Sequence, residues 1–303
     1  MMDKFLLLIS IILIIYFQNP IVSLILGLSL GFILQNDLKK LVTHVGSLPL
    51  QNGIILMGFS ISFKTLSDLV INYFPIISIF AVTTFLIGLL IGKLFKLEKN
   101  FIYLISSATA ICGVTAALTI STIIKAKPNQ VSLAIFIIFL MNAFALALFP
   151  FIGRFLGLSD IQFGLFSALA IHDTASVVGS GLLFSNYASE VAATLKIGRT
   201  IWLLPLIACI GYLENAQRSI KFDDFPKFII FFFFAILLTN TFSLPNSLHE
   251  ALDLLSVVLI NIGIFFIALQ SKIKPIKNIK SLSYPLLLWA VVVLISFLVV
   301  TGL

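Results

Sequence analysis

Three short stretches carry residue types that could do chemistry inside an otherwise apolar chain. The first, SALAIHDTASVVGSG (167–181), places His172, Asp173, Thr174 and Ser176 among alanines, valines and glycines. The second, LKIGR (195–199), holds Lys196 and Arg199 three residues apart, which puts both cations on one face of a helix. The third, ICGVTAA (111–117), offers Cys112, Gly113 and Thr115. An Asp at the bilayer centre costs about 2.5–3.5 kcal/mol on insertion scales, so such a residue marks a pathway or a site. Small and hydroxyl residues let a helix unwind, and the second half of a broken helix points free N–H groups and a positive dipole end into the gap. Two cations against one carboxylate leave a surplus positive charge, which suits an anion. The bland alternatives are that Asp173 pairs with one cation to pin two helices together and that the small residues only pack, as in GLSLG (27–31). His172 reads equally as a proton carrier and as a hydrogen-bonding core residue.

The elements that must position these residues are membrane helices. Of 303 residues 60% are hydrophobic and 10% charged, with a mean hydropathy of +1.17. A soluble domain carries about 25% charged residues. Apolar runs recur along the whole chain, predicting an all-α polytopic membrane protein. Breaks at charged or Pro/Asn-rich points give eleven segments near 4–17, 20–35, 48–63, 70–93, 100–124, 130–152, 161–184, 188–213, 226–242, 250–271 and 282–302. The first two are short and read alternatively as one helix kinked at Pro20. The N-terminal run lacks a small-residue cleavage site and reads as a first helix rather than a removed signal.

If all eleven segments cross, the N-terminal side collects Lys4, Lys39, Lys40, Lys93, Lys96, Lys99, Arg154, Arg218, Lys221, Lys227, Lys272, Lys274, Lys277 and Lys280. The other side has Lys64, Lys125 and Lys127. This asymmetry places the N-terminus in the cytoplasm and the C-terminus outside a cell (inner) membrane. On this reading Asp173, Lys196 and Arg199 lie roughly 12–16 Å deep. The net charge of +7 therefore reports orientation, and no basic, aromatic-interleaved run exists for nucleic acid. Cys112 and Cys209 lie in apolar segments, so no disulfide framework is expected. His44 and His249 fall in loops, and Glu190 suits the start of a helix. No metal-ligand spacing, cofactor motif or ordered nucleophile and base is present, so neither an enzyme nor a cofactor is expected.

Two internal similarities appear. SATAICGVTAALT (107–119) and SALAIHDTASVVG (167–179) match at Ser, Ala, Ala and Ile. MGFSISFK and the span after Pro75 loosely match FFIALQSK and the span after Pro285, with the parity of an inverted repeat.

ATAICGVTAA (108–117), FGLFSALAIHDTASVVGSG (163–181) and LKIGRTIWLLP (195–205) resemble the central motifs of the sulfate exporter family of membrane proteins, and IILMGFSISFKTL (54–66) resembles its Gly-Phe segment. The resemblance runs from about residue 20 to 300. It implies the fold of the cation/proton antiporter and anion transporter superfamily, with inverted repeats, two crossed broken helices and core and scaffold domains. It also implies secondary export of a small inorganic anion, sulfate by the family's name. The resulting expectation is export of a sulfate- or sulfite-like anion by elevator-type alternating access, in a homodimer, with coupling to H+ or Na+. Cys112, Gly113, Thr115, His172, Asp173, Thr174, Ser176, Lys196 and Arg199 are then the expected substrate-binding residues. The sequence departs from the family pattern at Ile197, in place of Leu, and at Val114 and Thr115, in place of a further Gly and Ser. The competing expectation is a sodium–proton antiporter, for which Asp173 is the obvious central carboxylate.

Overall fold

A computed structural model describes residues 2–33, 46–214, 226–242, 244–270 and 279–302. Lys39, Lys40, His44, Arg218, Lys221, Lys272, Lys274 and Lys277, together with the side chains of Lys4 and Lys280, lie outside the described residues. Their part in the charge asymmetry therefore has no structural counterpart here.

The described residues form fourteen α-helices: α1 (Met2–Phe17), α2 (Pro20–Ile33), α3 (Leu48–Met57), α4 (Phe63–Leu94), α5 (Lys99–Ala110), α6 (Val114–Ile123), α7 (Pro128–Phe155), α8 (Asp160–Ala170), α9 (Thr174–Phe184), α10 (Asn186–Thr200), α11 (Leu203–Leu213), α12 (Phe228–Thr241), α13 (Asn246–Gln270) and α14 (Ile279–Thr301). A 3-10 turn, Gly58–Ser60, extends α3. Among the described residues five stretches are long and apolar enough to cross a membrane: 63–94, 128–155, 186–213, 246–270 and 281–301. Such a chain must satisfy its backbone internally, which helices do. Helix starts are fixed by local side chains. Ser62 accepts from Thr65 N–H, Ser159 from Gln162 N–H and Ser185 from Ala188 N–H.

The two polar stretches break their helices as the sequence predicts, at residues 111–113 and 171–173. What differs is where the chain goes next. The end of α6 returns to the start of α5: Asn100 donates to the Ile124 carbonyl at 3.3 Å, and Lys127 and Gln130 reach Glu98 at 3.4 and 2.6 Å. The end of α9 likewise returns to the start of α8. Ser185 Oγ donates to Asp160 at 2.7 Å, the Phe163 and Phe184 rings stack at 4.1 Å, and Arg154 donates to the Leu183 carbonyl at 2.5 Å. Segments 100–124 and 161–184 are therefore helical hairpins that turn back at their tips, and the expectation that each crosses is corrected. The physical reason is length: arms of 12, 10, 11 and 11 residues span only about 15–18 Å each, half a bilayer core.

The two hairpins enter from opposite ends of the bundle, joined by the 28-residue α7. One end carries Lys93, Lys96, Lys99, Lys125 and Lys127, and Lys99 pairs there with Glu214 at 2.5 Å. The other carries Arg154, Asp160 and Ser185. The start of α4 lies at that same end, where Phe63 N–H donates to Asn240, and Ser60 donates to Asp253. Relative to the eleven-crossing expectation, Lys125 and Lys127 move to the basic end and Arg154 leaves it. The two changes of direction cancel, so every helix after Asn186 keeps its expected sense.

Among the described residues two large apolar cores and a small third, of α1, α2 and α13, result. One large core joins α4, both hairpins, α7, one face of α10, α11 and α14. The other joins α2, α3, α12 and α13 with a face each of α7, α9 and α10. The small residues of GLSLG pack as expected: a Cβ on Gly27 would lie 2.5 Å from the Phe265 carbonyl oxygen on α13.

Candidate functional site

The hairpin tips meet. Gly113 adopts φ +62°, a conformation that disfavours side chains, and a Cβ there would sit 3.1 Å from the His172 carbonyl carbon and 3.2 Å from Asp173 N. Only glycine permits both the reversal and this approach. The crossing thus gathers four helix ends: the C-termini of α5 and α8 and the N-termini of α6 and α9.

The two C-termini are held by the cations of α10. Arg199 donates Nε to the Ala110 carbonyl (2.7 Å), one terminal nitrogen to Ala168 (2.9 Å) and Leu169 (2.7 Å), and the other to Thr109. Its guanidinium carbon lies 5.4 Å from the Phe80 ring centre, a cation–π distance. Lys196 Nζ donates to the Ile171 carbonyl at 2.7 Å. Trp289 takes the Ala170 carbonyl at 3.0 Å. Unpaired carbonyls at a helix C-terminus carry about half a negative charge, so cations belong there. Both cations are fully buried. The expected pairing of Asp173 with one of them is not what forms: backbone carbonyls, not a carboxylate, are the partners of Lys196 and Arg199.

Asp173 instead caps its own helix. Its Oδ1 accepts from Ser176 N–H at 2.7 Å, and its Oδ2 accepts from Ser176 Oγ at 3.1 Å and from Asn142 Nδ2. Asn142, on α7, is the residue the sequence reading missed. Its Oδ1 also accepts from His172 N–H at 3.0 Å and lies 3.1 Å from His172 Nδ1. The imidazole therefore donates from Nδ1, leaving Nε2 as an acceptor; that atom is buried without a partner among the described residues. The signal for Asn142 was available as a lone amide in the apolar run FLMNAFALAL.

The N-terminus of α6 has no carboxylate cap: Gly113 offers no side chain to the first-turn amides, and the Cys112 sulfur meets the Ala116 N–H. This end, with Asp173, forms the inner wall of a cavity of about 640 Å³. Cys112, Val114, Thr115 and Leu118 from the first hairpin, Asp173, Thr174 and Ala175 from the second, and Ser132, Ile135, Phe136 and Phe139 of α7 line one side. Ser47, Leu50, Gln51 and Ile54 from α3 and its approach, Phe228 of α12, and Ile267 and Gln270 of α13 line the other. The cavity thus lies between the two cores and extends toward the basic end, where α3 and α12 begin and α13 finishes.

Of the nine expected site residues, Cys112, Thr115, Asp173 and Thr174 line this cavity and Gly113 shapes the crossing behind it. Ser176 supports the Asp173 carboxylate. His172, Lys196 and Arg199 lie behind the wall and not on it. Among the described residues that line the cavity, Asp173 carries the one formal charge. His249 is far from the site, 3.4 Å from Thr239 at the opposite end, and Cys209 is exposed on α11.

The profile of the family described as conserved hypothetical protein 698 matches residues 5–288. A UPF0324 membrane protein of Bacteroides thetaiotaomicron is 34% identical over 90% of this chain and 84% of its own length. Another from Porphyromonas gingivalis is 33% identical over 90% and 84%, and one from Vibrio vulnificus is 32% identical over 90% and 91%. No solved structure matches the chain. With an all-helical fold, several apolar spans and relatives of this kind over nearly its whole length, the chain belongs to the UPF0324 family of multi-pass membrane proteins.

Proposed function

We propose that this protein is a secondary transporter of a small oxyanion of the sulfate or sulfite type, and that the ligand binds at the uncapped N-terminus of α6. The observation that carries the reading is the asymmetry of compensation at the crossing. Both helix C-termini are neutralised by fully buried cations, whereas the α6 N-terminus faces the cavity without a carboxylate or hydroxyl cap, the Cys112 sulfur meeting its Ala116 N–H. Counting Lys196, Arg199, Asp173 and the four half-charges of the helix ends, about one net positive charge remains beside the cavity. Lys196 and Arg199 supply that potential from behind, while Cys112, Thr115 and Thr174 offer polar contact.

Hairpins entering from opposite ends suit an inverted repeat, and a cavity between two cores suits alternating access of an elevator type, one core sliding past the other. The basic end lies in the cytoplasm of the cell inner membrane by the positive-inside rule, so the cavity faces inward. A homodimer is part of the proposal, and light scattering of the detergent-solubilised protein measures it. The experiment for transport is uptake of labelled sulfate and sulfite into inverted proteoliposomes. No flux of any small oxyanion, with the protein shown to be folded, rejects the reading.

One observation favours a second reading. The formal charge on the cavity wall is a carboxylate, which suits exchange of a proton for sodium. Sodium-dependent proton flux in the same vesicles, without anion flux, would establish it.

A further inference from the structure

The cavity brings a carboxylate and an anion-attracting helix end onto one wall. We propose that Asp173 is the coupling site, taking up one proton when an oxyanion enters the cavity at the α6 N-terminus. This rests on the oxyanion reading above and adds the coupling ion.

The argument starts from proximity. A Cβ on Gly113 would lie 3.3 Å from Asp173 Cβ, so the carboxylate stands next to the first turn of α6. An oxyanion on those amides meets the ionised carboxylate across a few ångströms of poorly hydrated space, where like charges repel strongly. Protonation removes the repulsion.

The hydrogen-bond network accepts either state. With Asp173 ionised, Ser176 N–H and Oγ–H and Asn142 Nδ2–H all donate to it. When a proton from the aqueous cavity adds to Oδ2, the new O–H donates to Ser176 Oγ, and the hydroxyl turns from donor to acceptor. Ser176 N–H still caps through Oδ1 and Asn142 Nδ2–H still meets a lone pair on Oδ2; the hydrogen that gives up its acceptor is the Ser176 hydroxyl's, on a half-buried side chain. A hydroxyl partner permits this; a second amide or cation in its place would not.

The surroundings leave Asp173 as the group that responds. His172 precedes it, Cys112 lies on the facing tip, and Lys196 and Arg199 stand on α10; α7 presents Asn142, which is neutral. His172 has its Nε2 buried beside two cations and does not line the cavity. Lys196 and Arg199 are committed to carbonyls.

The test is binding of sulfate and of methanesulfonate, which keep their charge across roughly pH 5 to 8, to the full chain in detergent, read as thermal stabilisation. If one proton enters with each anion, affinity rises about tenfold for each unit of falling pH. In Asp173→Asn, which keeps the helix cap, affinity becomes independent of pH and matches the tightest wild-type value. Wild-type protein in weakly buffered solution should also take up about one proton per anion bound, a readout that needs no variant. A pH-independent wild-type affinity, an unchanged slope in Asp173→Asn, or dependence on sodium in place of pH overturns the proposal while leaving the oxyanion site standing. Absence of binding by both anions at every pH overturns the oxyanion reading and this inference together.

Discussion

Replacing Arg199 with Met removes the donor of four hydrogen bonds at once. The carbonyls of Thr109, Ala110, Ala168 and Leu169 then face a thioether in a site closed to water. Orphaning a buried acceptor costs about 1–3 kcal/mol, and removing a buried cation returns part of that. With incomplete additivity the net loss is about 4–8 kcal/mol. That is comparable with a whole domain's stability of about 5–15 kcal/mol. Lys196→Met orphans the Ile171 carbonyl alone and should cost about 1–3 kcal/mol. The assay is thermal unfolding of both purified variants in one detergent. At about 2–4 °C per kcal/mol, Arg199→Met should melt at least about 10 °C below wild type, and Lys196→Met only a few degrees below. Should Arg199→Met melt with wild type and lose only anion binding, Arg199 would be a direct ligand, and its role as a clamp on two helix ends would be wrong.

Three other perturbations follow from the geometry. Lys96→Cys and Lys127→Cys, in a background lacking the native cysteines, should label with an impermeant reagent from one face of the membrane and Arg154→Cys from the other; labelling of Lys127→Cys with Arg154→Cys would restore the crossing segment at 100–124. Gly113→Ala forces a Cβ to 3.1 Å from His172 at φ +62°, so it should destabilise by about 1–2 kcal/mol in melting and reduce flux more than binding. Asn142→Leu leaves the Asp173 carboxylate without its side-chain amide donor and His172 without its acceptor, and should lower the melting temperature by an amount equivalent to about 2–4 kcal/mol.

The polar runs at 111–117 and 172–181 were legible as breaks because Gly113 and the His-Asp-Thr run contradict an uninterrupted membrane helix. Their path was not. Twenty-five apolar residues are enough for one crossing or for two half-crossings, and hydropathy is the same for both; the contacts of Glu98 with Gln130 and of Asp160 with Ser185 decide between them. Lys125 with Lys127 and Arg154 changed ends together, so among the described residues Lys93, Lys96, Lys99, Lys125 and Lys127 share one end. The burial of Lys196 and Arg199 was also legible, but their partners were not. Formal charges are visible in a sequence, whereas the partial charges on the ends of α5 and α8 exist only once the helices stop, and those ends outcompeted Asp173 for both cations. Asn142 went unread because one amide in an apolar run has no pattern until the two residues it bridges are brought beside it.

The four carbonyls gathered by one guanidinium have a mechanical corollary. Neither hairpin can retreat from the other without stranding backbone oxygens away from water, so the tips cannot act as independent doors. In the proposed transport cycle they travel with α10 as a single carriage, sliding along the seam that faces α3, α12 and α13.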